Sequence, residues 1–165
     1  MDGSGNVAVT GFFRYSADFG GGLLQVDGSG DMFVAKYAAA TGAYIWAHRG
    51  GASAVWDSGQ GIATDASGNV VVTGFFGGTA DFDGRSLVST GGQDIFVAKY
   101  AAAAPGTLLW VMPEGGLLGD QGQAAATDSA GNVVVTGFFQ GIVNFGGGAL
   151  YSTGSLDAFV LKLAP

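Results

Sequence analysis

The chain has 165 residues, of which 32 are Gly and none is Cys, and its formal net charge is −7. The lack of Cys excludes a disulfide framework, thiolate catalysis and zinc–thiolate sites, and six Lys and Arg against thirteen Asp and Glu exclude the basic surface that nucleic acid requires. With 48% hydrophobic residues the chain can build a core, and its many Gly and Asp residues favour tight turns over helices.

A repeat of 63 residues organises the sequence. The segment 2–13, Asp-Gly-Ser-Gly-Asn-Val-Ala-Val-Thr-Gly-Phe-Phe, returns with few changes at 65–76 and again at 128–139. The same spacing relates other positions, so the register is kept between these segments as well. These positions are Phe19, Phe82 and Phe145; Leu24, Leu87 and Leu150; Asp31, Asp94 and Asp157; Lys36, Lys99 and Lys162.

Each repeat is predicted to form four short strands separated by turns. In the middle copy these are strand one at Gly61–Thr64, strand two at Asn69–Thr73, strand three at Ile95–Tyr100 and strand four at Leu108–Val111. The Asp65–Gly68 segment has the residues of a tight turn, and a Gly-rich excursion through Phe82 and Leu87 separates strands two and three.

The pattern of these strands predicts an all-β fold built of β-propeller blades. Strands two and three are apolar on both faces, which is typical of strands covered on two sides. Four-stranded antiparallel units repeated in this way describe propeller blades. We expect a partial blade at 1–50 that lacks strand one, a complete blade at 51–113, and a partial blade at 114–165 that lacks strand four.

These units amount to about 2.6 blades, whereas propellers close with about four to eight. Three outcomes are open: the segment is completed by the rest of a longer propeller, several copies assemble, or the units form an open stack of sheets. Exposed apolar blade faces favour association. No membrane span is expected, because the most apolar stretch, 101–112, is interrupted by Pro105 and Gly106.

The repeat resembles a known family. The motif Asp-x-Gly-Gln-x-x-Ala-Thr-Asp-x-x-Gly-Asn-Val-Val-Val-Thr-Gly-Phe-Phe at 57–76 is followed by Asp-Phe-x-Gly at 81–84, Asp-x-Phe-Val-x-Lys at 94–99 and Leu-x-Trp at 108–110. Together these motifs are similar to the SBBP-type β-propeller repeat of bacterial surface and secreted proteins. The resemblance implies the propeller fold and an extracellular or cell-surface location, and it implies no enzymatic activity.

Most repeated polar and aromatic positions have a structural interpretation. The Asp-x-x-Gly-Asn turns at Asp2, Asp65 and Asp128 place oxygens close together, as calcium would require, but they lack the further carboxylates of a calcium loop. A charged or aromatic residue that recurs in every blade is expected to stabilise the blade rather than to line one binding pocket. We therefore expect structural contacts and core packing at three repeated sets: the Asp31 and Lys36 positions, the Phe12–Phe13 pairs, and Trp46 with Trp110.

One loop departs from the repeat and is the candidate binding site. Trp56 has no counterpart, since Leu118 and Gly119 occupy the matching loop, and His48, Arg49 and Asp57 lie near it in sequence. We predict that these four residues contact a ligand, with carbohydrate or peptide as the candidate classes. No metal or cofactor is predicted.

The sequence gives little support for a catalytic site. His48 is the only imidazole, so a triad would have to combine it with Ser53 and Asp57. Glu114 is the only Glu, which cannot supply the acidic residues of a metal-dependent propeller hydrolase. The leading hypothesis is a non-catalytic scaffold or interaction surface. The alternatives are a carbohydrate- or protein-binding propeller and a piece of a catalytic propeller completed by residues outside this chain.

Overall fold

A computed structural model describes residues 1–52 and 55–164, and these residues form fourteen β-strands and no helix. The all-β prediction is therefore confirmed. In chain order the strands are β1 Val7–Phe13, β2 Ala17–Asp18, β3 Leu23–Leu24, β4 Asp31–Tyr37, β5 Tyr44–Ala52, β6 Ser58–Thr64, β7 Val70–Phe82, β8 Arg85–Tyr100, β9 Leu108–Glu114, β10 Gln121–Thr127, β11 Val133–Phe139, β12 Ile142–Asn144, β13 Ala149–Tyr151 and β14 Asp157–Leu163.

Each repeat is built on an antiparallel pair of strands in the same register. Thr10 lies opposite Val34 in β1–β4, Thr73 opposite Val97 in β7–β8, and Thr136 opposite Val160 in β11–β14. Further strands flank these pairs and give the antiparallel orders β1–β4–β5, β6–β7–β8–β9 and β10–β11–β14. The ten strands expected from the repeat are all present, although most are longer than their sequence pattern indicates.

The Gly-rich excursion is a hairpin in every repeat rather than an irregular loop. It forms the short pair β2–β3 in the first unit and β12–β13 in the third, and in the middle unit it extends β7 and β8. A Phe on each hairpin packs between two Phe rings of its own unit, with the nearer centroid 4.3 Å away for Phe19, 5.0 Å for Phe82 and 4.8 Å for Phe145. Packing of this ring explains why the hairpin folds back onto its own unit.

The hairpin also joins the first two units into one sheet. Gly50, Gly51 and Ala52 at the end of β5 pair with Phe82, Asp81 and Ala80 of β7. The result is a seven-stranded sheet that contains the first and second units, whereas β10, β11 and β14 form a separate three-stranded sheet. β5 and β9 continue past residues 50 and 113, where the sequence places the unit boundaries.

The Gly of the Thr-Gly-Phe-Phe motif is required by a β-bulge in the neighbouring strand. The register between β6 and β7 shifts at Gly59–Gly61, and that between β10 and β11 shifts at Gly122–Ala124. A Cβ on Gly74 would collide with the Ser58 carbonyl oxygen, and one on Gly137 would collide with the Gln121 carbonyl oxygen. Only Gly permits this close approach of the bulged backbone.

Two hydrophobic clusters separate the three units. The first lies between units one and two and includes Met32, Val34, Val70, Val72 and Phe96; the second lies between units two and three and includes Val71, Ile95, Val97, Val133, Val135 and Leu161. The middle unit is thus covered on both faces, and the end units on one. Val97 is 0% exposed, whereas its repeat equivalent Val160 is 76% exposed.

Among residues 1–52 and 55–164, no helix has the length and apolar character needed to span a membrane.

Candidate functional site

The repeated Asp turns are closed by the protein's own donors. In the first unit the amides of Ser4 and Asn6 each donate to Asp2 Oδ1 at 2.9 Å, while Asn6 Nδ2 donates to Oδ2 at 3.0 Å. Lys36 Nζ also lies 2.8 Å from Asp2 Oδ2. The same contacts recur around Asp65 and Asp128. These donors lower the pKa of the carboxylates, that of Asp128 to about 2 through Asn132 and Lys162. The turn interpretation accounts for every contact of these side chains.

Lys36, the repeated Lys of the first unit, links this unit to the second. Lys36 Nζ donates to the carbonyl oxygens of Gly68 at 2.9 Å and Ala102 at 3.2 Å, both in the second unit, and its side chain is 1% exposed. Its partner in its own unit is Asp2 rather than Asp31, so the two repeated charges serve different contacts. Lys162 pairs with Asp128 but is 60% exposed, because no unit covers it among the described residues.

The second repeated carboxylate closes the loop before strand three. Asp31 accepts the Asp27 amide at 2.9 Å, Asp94 accepts the Thr90 amide at 2.8 Å, and Asp157 accepts the Thr153 amide at 2.8 Å. Burial raises the pKa of Asp31 and Asp94, against the opposing effect of these amides. Their role is therefore to hold the loop in place, as the structural interpretation expects.

Asp57, one of the four predicted site residues, is completely buried. Its carboxylate accepts the amides of Ala52 at 2.7 Å and Gly77 at 2.9 Å, which joins the end of β5 to β7. Burial, helped by the nearby charge of Asp31, raises its pKa to about 7 in spite of these two amides. Asp120 occupies the same position one repeat later and accepts the amides of Gly116 and Gln140. Asp57 is a structural carboxylate that no external ligand can reach.

His48 and Arg49 lie on β5 and are committed to other contacts. His48 Nδ1 is 2.9 Å from Asp83 and its Nε2 is 2.8 Å from the Pro105 carbonyl oxygen. Burial acts to lower the pKa of His48, but the ion pair with Asp83 and the Pro105 carbonyl outweigh it, so the pKa is raised. Arg49 is paired with Asp31 at 2.7 Å. Ser53, which a catalytic triad would require, lies outside the described residues.

Trp56 is found in a different environment, against the end of the first unit. Its indole lies 4.7 Å from the Phe12 ring, and the Arg14 guanidinium stacks over it with 4.3 Å between Cζ and the ring centroid. A pocket of about 390 Å³ lies here, lined by Arg14, Tyr15, Val26, Gly28, Ser29 and Trp56. The structure therefore brings Trp56 together with Arg14 and Tyr15, and not with His48, Arg49 or Asp57.

The aromatic predictions hold for part of each set. Phe13, Phe76 and Phe139 are buried, whereas Phe12, on the face of β1 that contacts Trp56 of the second unit, is 46% exposed. Trp46 is buried, and Trp110 is partly buried against the second cluster. Arg14 and Tyr15 were missed by sequence reasoning, although they break the repeat as Trp56 does: Gly77 and Gly78 stand in their places one repeat later.

Neither the protein-family models nor the curated proteins match this chain. Within the part of the chain that the structure describes, no three His, Asp or Glu side chains are grouped so as to hold a metal ion.

Proposed function

We propose that this chain is a non-catalytic β-propeller segment of the SBBP type that serves as a scaffold or interaction surface in a bacterial surface or secreted protein. The observation that carries this proposal is the repeated packing of one unit on the next. Consecutive units bury apolar faces in the two clusters between them. The surface location rests on the motif resemblance, and the propeller interpretation rests on this packing together with the four-strand order of the middle unit.

Equivalent contacts at the two junctions support the same geometrical relation between each unit and the next. Gly59 of β6 faces the Thr10 side chain of the preceding unit so closely that a Cβ would collide with it, and Gly122 of β10 faces Thr73 in the same way. These two contacts are one repeat apart. A step that is repeated with the same contacts generates a ring or an open helical stack of units.

The exposed face of the third unit is suited to another unit of the same kind. This face carries Val160 and Lys162, and the equivalent residues Val97 and Val34 are fully buried where a following unit covers them. In the first unit, Gly5 and Ala39 are the equivalents of the residues whose carbonyl oxygens receive Lys36. A second copy stacked head to tail would offer Lys162 the same two acceptors, so we infer that copies of this chain associate through these faces.

A non-catalytic role is supported by the environment of the only imidazole. Both ring nitrogens of His48 are engaged, one by Asp83 and the other by the Pro105 carbonyl. A general base needs a free nitrogen within reach of its substrate. The His48 ring also stacks on Tyr100, with 5.2 Å between the centroids, which fits a packing role.

Sedimentation velocity over a wide range of protein concentration tests the association. The wild-type chain is expected to form larger species as the concentration rises, and Val160→Asp is expected to weaken this association because it buries a charge in the contact. Leu117→Asp is the matched control, since Leu117 is 78% exposed and lies in the loop between β9 and β10 rather than on β14, which carries Val160. A wild-type protein that stays monomeric, or equal effects of the two variants, would contradict the proposal.

A further inference from the structure

The pocket beside Trp56 is the place where the first unit departs most clearly from its two repeats. Arg14 corresponds to Gly77 and Gln140, Tyr15 to Gly78 and Gly141, and Trp56 to Gly119. Large side chains thus meet in space at three positions where the other repeats have Gly or, in one case, Gln. Because a repeated position that only supports the blade keeps the same residue type, this cluster of changes points to a role particular to the junction of the first and second units.

The backbone at Tyr15 is strained by its side chain. Its φ is 65°, and the equivalent Gly78 and Gly141 have φ values of 62° and 74°, so all three residues lie in the left-handed region. Gly adopts this conformation freely, whereas a residue with a bulky side chain is destabilised there. Strain of this kind is found where a side chain must be held in a particular place.

The same turn has lost a hydrogen bond that the other units retain. The Gly78 amide donates to Ser89 Oγ at 2.8 Å, and the Gly141 amide donates to Ser152 Oγ at 2.8 Å. Val26 occupies the Ser position in the first unit and has no hydroxyl to accept a bond from Tyr15. The turn of the first unit therefore lacks both the Gly and the hydrogen bond to a Ser hydroxyl that stabilise this turn in the other units. It carries the exposed ring of Tyr15 instead.

Arg14 supplies an uncommitted positive charge. Lys36, Lys99, Lys162 and Arg49 are each paired with an Asp, whereas Arg14 forms no ion pair with any residue that the structure describes. Its Cζ lies 4.3 Å from the centroid of the Trp56 ring, and without a carboxylate partner among the described residues its N–H groups can bind an anion. Arg85 also forms no ion pair with a described residue, but only Arg14 lines this pocket.

We propose that this pocket binds a saccharide that carries an anionic group. Arg14 would pair with the carboxylate or sulfate, the Tyr15 ring, which is 82% exposed, would stack on the apolar face of a pyranose, and the Ser29 hydroxyl would bond a sugar hydroxyl. The pocket volume of about 390 Å³ lies in the range of small-ligand sites. Its lining has an aromatic face and polar groups but no enclosed apolar cavity, which favours a sugar over a peptide side chain.

This inference goes beyond the scaffold role and does not depend on ring closure or on self-association. The test is saturation-transfer NMR together with a Trp fluorescence titration, using oligosaccharides of hexuronic acid, their sulfated neutral counterparts, and the neutral sugars alone. Saturable binding of an anionic sugar, at least tenfold tighter than binding of the neutral sugar, is expected. The carboxylated and sulfated probes show which anion is preferred.

Two variants that restore the residues of the other units separate binding from folding. Arg14→Gln and Tyr15→Gly should each weaken binding at least tenfold, and Tyr15→Gly should leave the melting temperature unchanged or raise it, because the strain at φ 65° is relieved. Arg85→Gln and Tyr151→Ala remove an exposed Arg and an exposed Tyr elsewhere and should bind as the wild type does. The proposal is overturned if no probe saturates, if neutral sugars bind equally well, if an acidic peptide binds more tightly than every sugar, or if the control variants lose binding to the same extent.

Discussion

The buried carboxylate of Asp57 predicts that the protein is more stable in mild acid than at pH 8. The side chain is 0% exposed, and burial raises its pKa to about 7, from 3.8 in the unfolded chain. The folded state therefore keeps a proton over a range of pH in which the unfolded chain has released it. A group whose pKa is raised on folding in this way favours the folded state at low pH, and this contribution is lost as the pH rises towards the folded value.

The size of the effect follows from the two pKa values. Between about pH 4 and about pH 7 the contribution of Asp57 to the free energy of unfolding should fall by roughly 1.4 kcal/mol per pH unit, or about 4 kcal/mol in all, and then level off. The carboxylates of Asp2, Asp65 and Asp128 act in a different window, since their pKa values are lowered from 3.8 and their contribution is lost only in stronger acid. The greatest stability is thus expected where these two windows meet, near pH 4.

Urea denaturation at a series of pH values measures this dependence. Asp57→Asn should remove about one proton from the difference between folded and unfolded states and so flatten the slope. A smaller slope should remain, because burial also raises the pKa of Asp31, Asp94 and Asp120. Asp81→Asn, on the exposed side of β7, is the control variant that removes an exposed carboxylate. Stability that increases from pH 5 to pH 8, or an unchanged slope in Asp57→Asn, would refute the reasoning.

Two further substitutions test the contacts between units, each by denaturant unfolding. Lys36→Met should destabilise the chain by about 3 to 5 kcal/mol, because a buried ammonium is removed and its acceptors are left unpaired. The repeat-equivalent Lys162→Met, on the exposed face, should leave the denaturation midpoint unchanged. Equal effects of the two variants would contradict the role of Lys36 between units. Gly122→Ala should destabilise the chain by about 1 to 3 kcal/mol, because the added Cβ would collide with Thr73. Gly147 has open space around it, so Gly147→Ala should have little effect. If Gly122→Ala leaves the stability unchanged, β10 does not approach β7 closely.

The strands of each unit could be predicted from sequence because three copies show the same pattern. Apolar runs such as 70–73, bounded by an Asp turn and a Gly, are strand signals with a local cause. The hairpin at 77–90 gives a weaker signal, since its strands alternate poorly and contain several Gly residues. Its order depends on burial of Phe82 between rings that are distant in sequence. Such tertiary packing cannot be recognised from a local pattern.

The candidate site could likewise be predicted only in part from the sequence. Trp56 could be found because the repeat provides an internal comparison, and that comparison also marks Arg14 and Tyr15 once positions 77 and 78 are aligned with them. Proximity in sequence to Trp56, by contrast, selected residues that do not lie in its pocket. His48 and Arg49 are adjacent on β5, so their side chains point to opposite faces of the sheet. Sequence proximity on a strand therefore does not predict a shared pocket, whereas a shared departure from the repeat does.

The pairing of β5 with β7 makes the three repeats energetically unequal. Because backbone hydrogen bonds connect the first and second units into one sheet, opening either of them breaks part of the other. The third unit shares no sheet with the second among the described residues, and it is attached through side-chain packing, the bridge of Gly116 to Val143 and hydrogen bonds such as that from the Asp120 amide to the Gln93 carbonyl oxygen. We therefore expect the third unit to open more readily than the first two, and it carries the face on which we expect another copy to stack.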